Sequence, residues 1–309
     1  MSTLLDTLKQ AFPHLEFKAE ESLAQHTYFK IGGPAEVFLI VKTSNDLADL
    51  AEFAGKNQIK FTVLGGASNV LINDQGLRGL VVKNNTSQVL IKPGDKPETF
   101  ILEADSGAIT NLVVRKALDN SLDGLQLFLG VPGTIGGAVF NNSHFLKVLI
   151  GENILEVECV TRQGEHKTYS KSDMKFAYDY SILHETHDTI IKVRFLLKKG
   201  DKTTLEERAK YATTYRATTQ PLGIPSSGCM FQNAIMPDGS RESAGKLVDM
   251  AGLKGLRVGD AVVSDKHANF ILNVGKATSE EVDQLVAKVT AAVKDKFGAE
   301  LKREVFSLS

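Results

Sequence analysis

Apolar residues at Leu4, Leu5, Leu8, Ala11 and Phe12 recur at three-to-four spacing, so the chain opens with an amphipathic helix. Residues 37–41 form a continuous apolar run of strand length. Leu47, Leu50, Ala51 and Ala54 then mark one face of a helix that Thr43 or Ser44 can cap. Residues 61–64 read as a strand that runs straight into a glycine turn, and 78–83 as the next strand. Strand, helix and strand in that order predict a small α/β unit. Further strands are expected at 89–92 and 100–103, followed by a helix on Ile109, Leu112, Val113 and Ala117. Leu155, Val157 and Cys159 alternate with Glu156 and Glu158, the period of a half-buried strand. Ile191, Val193, Phe195 and Leu197 share one side of another, over 189–197. Lys198-Lys199-Gly200-Asp201-Lys202 reads as a linker. Beyond it, 204–218 is helical. Thr278 and Glu281 then make a capping-box pattern ahead of the stripe Val282, Leu285, Val286, Val289 and Val293. Gly298 should stop that helix, and 300–306 should be a final strand.

A chain of 309 residues with these changes of pattern is long for one core and suggests two or three units. Lys plus Arg is 36 against 37 Asp plus Glu, so no basic excess exists to attract nucleic acid or an acidic membrane. No run approaches the roughly 20 apolar residues of a membrane-spanning helix. The start has neither the continuous apolar core nor the small-residue cleavage site of a signal peptide. Two cysteines, Cys159 and Cys229, are too few for a disulfide scaffold or a structural zinc site. A soluble protein of a reducing, bacterial-type cytoplasm is expected, with no metal.

Three stretches carry chemistry. Gly65-Gly66-Ala67-Ser68-Asn69-Val70 follows a strand, and its unhindered backbone N–H groups could converge on an anion, aided by the Ser68 and Asn69 side chains. A tight surface turn would explain the glycine pair alone. Gly130-Val131-Pro132-Gly133-Thr134-Ile135-Gly136-Gly137-Ala138 holds four glycines in eight residues, an entropic cost usually borne for close approach to something. Two such loops could grip the two phosphates of a dinucleotide, although neither is the Gly-x-Gly-x-x-Gly fingerprint of an ordinary Rossmann site. The third stretch, residues 220–233, fixes its backbone with Pro221 and Pro225 before Gly228 presents Cys229. A cysteine so placed is a proton donor, a nucleophile, or a small core residue.

Together with Thr27-Tyr28-Phe29-Lys30-Ile31-Gly32-Gly33-Pro34-Ala35, Ala244-Gly245-Lys246-Leu247-Val248, Gly252-Leu253-Lys254-Gly255, Ser264-Asp265-Lys266-His267-Ala268-Asn269-Phe270 and Leu301-Lys302-Arg303-Glu304-Val305, these stretches resemble the UDP-N-acetylenolpyruvoylglucosamine reductases, the MurB family. The likeness covers nearly the whole chain from about residue 24. It implies an α+β protein: a two-part FAD-binding fold of the vanillyl-alcohol-oxidase (PCMH) type, with a C-terminal α/β substrate domain. The expected boundaries are 1–23 for a helix and lead-in, 24–200 for the flavin part (24–87 and 88–200), and 201–309 for the substrate part. By the same likeness Gly65, Gly66, Ala67, Ser68, Asn69 and Val70, with Gly133, Thr134, Gly136, Gly137 and Ala138, hold FAD. No histidine lies in the first loop to bond it covalently. NADPH is the implied hydride donor, and a UDP-sugar the small-molecule partner. Cys229 stands at the proton donor's place, Glu304 at that of a C-terminal catalytic glutamate, and Tyr178, Arg216, Asn233 and His267 where the family meets its substrate. The roughly 35 residues from Ser181 to Arg216 resemble the shorter branch that lacks an inserted clamping loop.

The chain also departs from the family pattern. Phe176-Ala177-Tyr178-Asp179-Tyr180-Ser181 carries Asp179 where Phe-x-Tyr-Arg-x-Ser places a catalytic arginine, and Asn141-Asn142-Ser143-His144-Phe145 replaces Met-Asn-Ala-Gly-Ala. Gln126 stands for a common glutamate, and Ala217 for an arginine beside Arg216. A carboxylate at 179 would oppose negative charge developing on the substrate. Asp179 is therefore expected to turn away or pair with a nearby base, leaving Arg216 to face the substrate carboxylate. Two other readings remain at this point: a sugar or alcohol oxidase of the same flavin fold, and a non-catalytic nucleotide-binding protein.

Overall fold

In the computed structural model, which describes residues 3–309, the eleven-residue strand Thr189–Lys199 is the centre of the largest sheet. Its neighbours are all antiparallel: Ile154–Val160 and then His166–Ser170 on one side, Thr99–Asp105 and then Val89–Pro93 on the other. Val193 lies opposite both Val157 and Ala104, so the apolar alternation is in register across three strands. The helices Thr110–Asp119 and Ile135–Phe140 supply Val113, Ala117, Ile135 and Val139 to the core that buries Val193, Phe195 and Leu197. Apolar burial at about 25 cal/mol per Å² is the main force holding these layers together.

The smaller α/β part is present too. Helix Ser44–Lys56 is capped by Thr43, whose hydroxyl accepts the Asp46 N–H. Strand Phe61–Leu64 runs parallel to residues 80–83 of the strand Leu77–Asn84. Val37, Leu39, Val41, Leu47, Leu50, Leu80 and Val82 form its core, joined by Leu8 of the opening helix Leu4–Ala11.

The C-terminal sheet is Ser226–Cys229, Phe270–Asn273, Ala261–Val263 and Arg257–Val258 in that order. Helix Ser279–Phe297 carries the expected capping box at Thr278 and Glu281 and ends on Gly298 at φ +67°. Among the described residues no helix is long and apolar enough to cross a membrane.

Contacts divide the chain differently from the expected 24–200 and 201–309. One compact unit runs to Lys18 and then takes 37–66 and 79–216; the other takes 19–36, 67–78 and 217–309. Hydrogen bonds give the reason for the second grouping. Asp74 accepts the Ser279 N–H at 3.0 Å and the Ser279 hydroxyl at 2.7 Å, and Asn273 Nδ2 donates to the Phe29 carbonyl at 3.0 Å. The expected linker is also shorter. Lys198 and Lys199 end the central strand, opposite Asp123 and Leu122, and Lys202 already begins the helix Lys202–Thr219. That helix stays with the first unit as far as Arg216 because Leu205, Ala209 and Ala212 are buried there. Finally, 300–306 is not a regular strand. It makes single bridges, Ile235 to Glu300 and Phe231 to Arg303, before Phe306–Leu308 pairs in parallel with Val70–Ile72.

Candidate functional site

Within the first unit the two glycine loops touch. A Cβ on Gly65 would fall 2.3 Å from Thr134 Oγ1, and one on Gly66 would fall 2.4 Å from Gly133 Cα. Both distances are far inside van der Waals contact: Gly65 makes room for the Thr134 side chain, and Gly66 lets backbone meet backbone at Gly133. Part of what the glycines approach is therefore each other. Gly136 is held as closely: its N–H donates to the Ser106 carbonyl at 2.8 Å, and its Cβ would sit 2.9 Å from that residue. Gly137 is different. It is exposed at the start of the helix Ile135–Phe140, where a Cβ would meet nothing nearer than 3.8 Å. Thr134 and Ala138 are buried on either side. Bare backbone at a helix start, fixed from behind, fits the diphosphate of a dinucleotide. Behind Ser106 lies a polar cluster missed by sequence reasoning: Asn84 Nδ2 donates to Ser106 Oγ at 2.8 Å, and Gly107 N–H to Thr86 Oγ1 at 3.1 Å.

The same unit gathers Tyr178, Asp179 and Arg216 near the second loop. The Arg216 guanidinium lies 4.5 Å over the Phe145 ring, and its Cδ would be 3.1 Å from a Cβ on Gly130. Ala177 and Tyr180 close a tight turn with Tyr178 and Asp179 at its centre. Asp179 has φ +49°, a conformation that aspartate tolerates better than most residues. Its side chain is buried and paired with a base: His144 Nδ1 is 3.1 Å from Asp179 Oδ1. The His144 ring stacks tilted on Tyr178 at 4.9 Å. Asn142, fully buried, fixes this arrangement by donating to the Ala177 carbonyl at 2.7 Å and accepting the Gly151 N–H at 3.0 Å. His144 was not among the expected site residues, yet it and Asp179 are both departures from the pattern, and they meet.

The second unit assembles the other expected residues. Cys229 ends its strand opposite Phe270 and is half-buried. The Glu304 N–H donates to the carbonyl of Met230, the next residue after Cys229, at 2.9 Å. The backbones of the two expected catalytic residues are thus adjacent. Asn69 lies beside them: Phe306 N–H donates to its carbonyl at 3.1 Å, and its Nδ2 reaches the Glu304 carbonyl at 3.5 Å. Ala67, at φ +52°, accepts the Tyr28 N–H at 3.2 Å, which turns the chain between Gly66 and the half-buried Ser68, Asn69 and Val70. The imidazole of His267 accepts the Asn269 N–H on Nδ1 at 3.3 Å. Burial holds that ring below the ordinary histidine value, and the Lys254 charge acts the same way, so it is neutral near pH 7. Asn233 is exposed just ahead of the strand Ala234–Ile235, and nothing else in the structure distinguishes it.

Residues 35–170 match the FAD-binding domain family, and 220–308 match the C-terminal domain of UDP-N-acetylenolpyruvoylglucosamine reductase. The reductase of that name from Streptococcus thermophilus is 35% identical over 98% of this chain and 96% of its own. That from Listeria innocua is 36% identical over 97% of this chain and 98% of its own. This chain belongs to the UDP-N-acetylenolpyruvoylglucosamine reductase family. The crystal structure of the Thermus caldophilus member superimposes with a TM-score of 0.78 at 30% identity, covering 96% of this chain and 99% of that one. The 6-hydroxy-D-nicotine oxidase of Arthrobacter nicotinovorans, at 13% identity and a TM-score of 0.58, shares the fold alone; it covers 94% of this chain and 87% of its own. The chain is an FAD-dependent oxidoreductase, of the α+β flavin fold with the family's own C-terminal domain.

Proposed function

We propose that the protein reduces UDP-N-acetylglucosamine enolpyruvate to UDP-N-acetylmuramate with NADPH, in the cytoplasm, as a step of peptidoglycan precursor synthesis. The reading rests on full-length similarity to reductases of this name, and on one structural observation above all. Cys229 and Glu304 come from segments about 75 residues apart, and the 2.9 Å bond from Glu304 N–H to the Met230 carbonyl draws them together. Nucleotide binding alone requires neither. Gly65, Gly66, Gly133, Thr134, Gly136, Gly137 and Ala138 would hold FAD non-covalently, with Ala67, Ser68, Asn69 and Val70 continuing the first loop. Bound FAD supplies the hydride carrier between nicotinamide and sugar. The enolpyruvyl double bond takes up a hydride at its β-carbon and a proton at its α-carbon. Cys229 donates that proton from Sγ, and Glu304 steadies charge on the substrate while it moves. Tyr178, Arg216, Asn233 and His267 bind the UDP-sugar.

Stopped-flow absorbance tests this. NADPH should bleach the flavin band and the enolpyruvyl sugar should restore it, while denaturation should release free FAD. Cys229→Ala should slow restoration by roughly 10²–10⁴-fold, the usual loss with a general acid, and affect bleaching far less. Failure of the sugar to restore the wild-type band would sink the reading. Equal losses in both steps would give Cys229 a structural role instead.

A further inference from the structure

Strands Phe61–Leu64 and Leu77–Asn84 run side by side with Leu64 opposite Lys83, so Asn84 ends its strand level with the start of the first glycine loop. Asn84 is buried, and both ends of its amide are committed. Oδ1 accepts the Thr86 N–H at 3.1 Å, which fixes the amide's orientation, and Nδ2 then donates to Ser106 Oγ at 2.8 Å. Ser106, also buried, carries the second loop. Its carbonyl accepts the Gly136 N–H at 2.8 Å, and the Ala108 carbonyl accepts that of Ile135 at 2.9 Å. Thr110, fully buried, holds the other end of that loop, directing its N–H and its hydroxyl to the Gly133 carbonyl at 3.1 and 3.3 Å. Gly107 leaves the room this needs, since a Cβ there would fall 2.4 Å from Asn84 Oδ1. All of these residues belong to the first unit.

We propose that Asn84 and Ser106 are positioning residues for FAD, and that their hydrogen bond sets the spacing of Gly65 and Gly66 against Gly133–Ala138 to suit its two phosphates. The proposal rests on the assignment of the FAD diphosphate to these loops made above, and on nothing about the sugar. Apolar side chains of similar shape could fill the space of such a pair at nearly equal stability, so what the paired polar groups add is one fixed arrangement. The loops touch in front, at Gly66 and Gly133, and the Asn84–Ser106 bond ties them from behind. A ligand that engages both loops needs both at the right distance. A ligand with a single phosphate engages one loop and is indifferent to their spacing. Loss of the bond should therefore weaken FAD more than FMN, which has the same ring system and one phosphate.

The test is competition on the intact holoprotein. The protein is equilibrated with excess FAD and FMN until the bound ratio is constant, passed rapidly through a desalting column, and its bound flavin identified by chromatography. Wild type should favour FAD. Asn84→Ala and Ser106→Ala should each lower that preference by about tenfold, the scale of one buried hydrogen bond. The double variant should lower it no further, because each single change already removes the same bond. Tyr169→Phe removes the buried hydrogen bond from Tyr169 to Asp188, in the same unit but outside this network. It should lower the urea midpoint and leave the preference alone. Single variants that weaken FAD and FMN alike, or losses that add in the double variant, would overturn the inference. If Asn84→Ala yields no folded protein, Ser106→Ala, which removes one hydroxyl, decides by its preference. A wild type that does not favour FAD overturns the placing of the diphosphate as well, whereas a preference that both variants keep sinks this inference alone. Neither result depends on whether the enolpyruvyl sugar reoxidises the flavin.

Discussion

Cys159 and Cys229 carry the same thiol into opposite surroundings. Cys159 is fully buried in the large sheet, and burial, followed by the charges of Asp188 and Glu158, pushes its thiol far above the ordinary value. Cys229 is half-buried at a strand end. A maleimide should therefore label one cysteine per native chain, at Cys229, and a second only on unfolding, because the thiolate is the reactive species. Mass spectrometry of labelled peptides decides it; native labelling at Cys159 would contradict the assignment. Residue identity alone shows why some of the site could be read from sequence and some could not. Cys229 sits in a proline- and glycine-rich stretch that stands out from its surroundings. His144 sits in nothing of the kind, and its meaning comes from Asp179, 35 residues away in sequence and 3.1 Å away in space. Asp179 could be placed in the pattern, and the need for a partner could be argued from charge, but no spacing rule names the partner.

At the scale of elements, periodicity carried most of the information. The strands at 61–64 and 189–197 and the helix behind Thr278 are all present; the latter two have a buried face, while the first is half-buried and ends on the buried Leu64. The alternation of Leu155, Val157 and Cys159 with Glu156 and Glu158 is also real, but the charged face is more than solvated. Arg194, on the middle strand, donates to Glu103 and Glu156 at 2.5 Å and to Glu158 at 3.3 Å, tying three strands together. Burial tends to raise the Glu103 carboxyl, and the hydrogen bond and charge of Arg194 outweigh it, so the group is held below the ordinary glutamate value. A lowered folded value means stability that is present above the unfolded value, about 4.3, and lost as pH falls through the folded one. Arg194→Met leaves three glutamates facing one another. It should cost about 1–2 kcal/mol near pH 7, a modest figure because the network is partly exposed, and less near pH 4. Urea denaturation at the two pH values measures this, and a deficit that grows on acidification would refute it. Periodicity misled at 300–306: Leu301 and Val305 are buried and Glu300 and Lys302 exposed, the alternation of a strand, yet single bridges to 231 and 235 replace a ladder.

For the whole molecule, sequence order was a poor guide to where one unit stops. The expected break at 200 followed a charged, glycine-containing run, yet the second unit takes 19–36 and 67–78 from the N-terminal half. Nothing in those segments' composition announces where they pack; only the fold brings Asp74 to the start of a helix 205 positions later. Their contribution is large. Phe29, Ile31 and Leu71 are buried in the same core as Val282, Leu285, Val289 and Val293, and Val70–Ile72 provides the strand on which Phe306–Leu308 pairs. Residues 201–309 alone would lose three buried apolar side chains, each contributing about 1.5–3 kcal/mol. They would also lose the Asp74 carboxylate at the start of the helix Ser279–Phe297, a contact of about 1 kcal/mol by the measure of helix capping. Domains of ordinary size hold only about 5–15 kcal/mol in total, so these losses are enough to unfold the fragment. A fragment of residues 201–309 should therefore show no cooperative thermal transition by circular dichroism and poor amide dispersion by NMR, whereas the full chain shows both a transition and dispersion. A sharp, reversible melt of the fragment would mean that the N-terminal segments only decorate a core that stands without them.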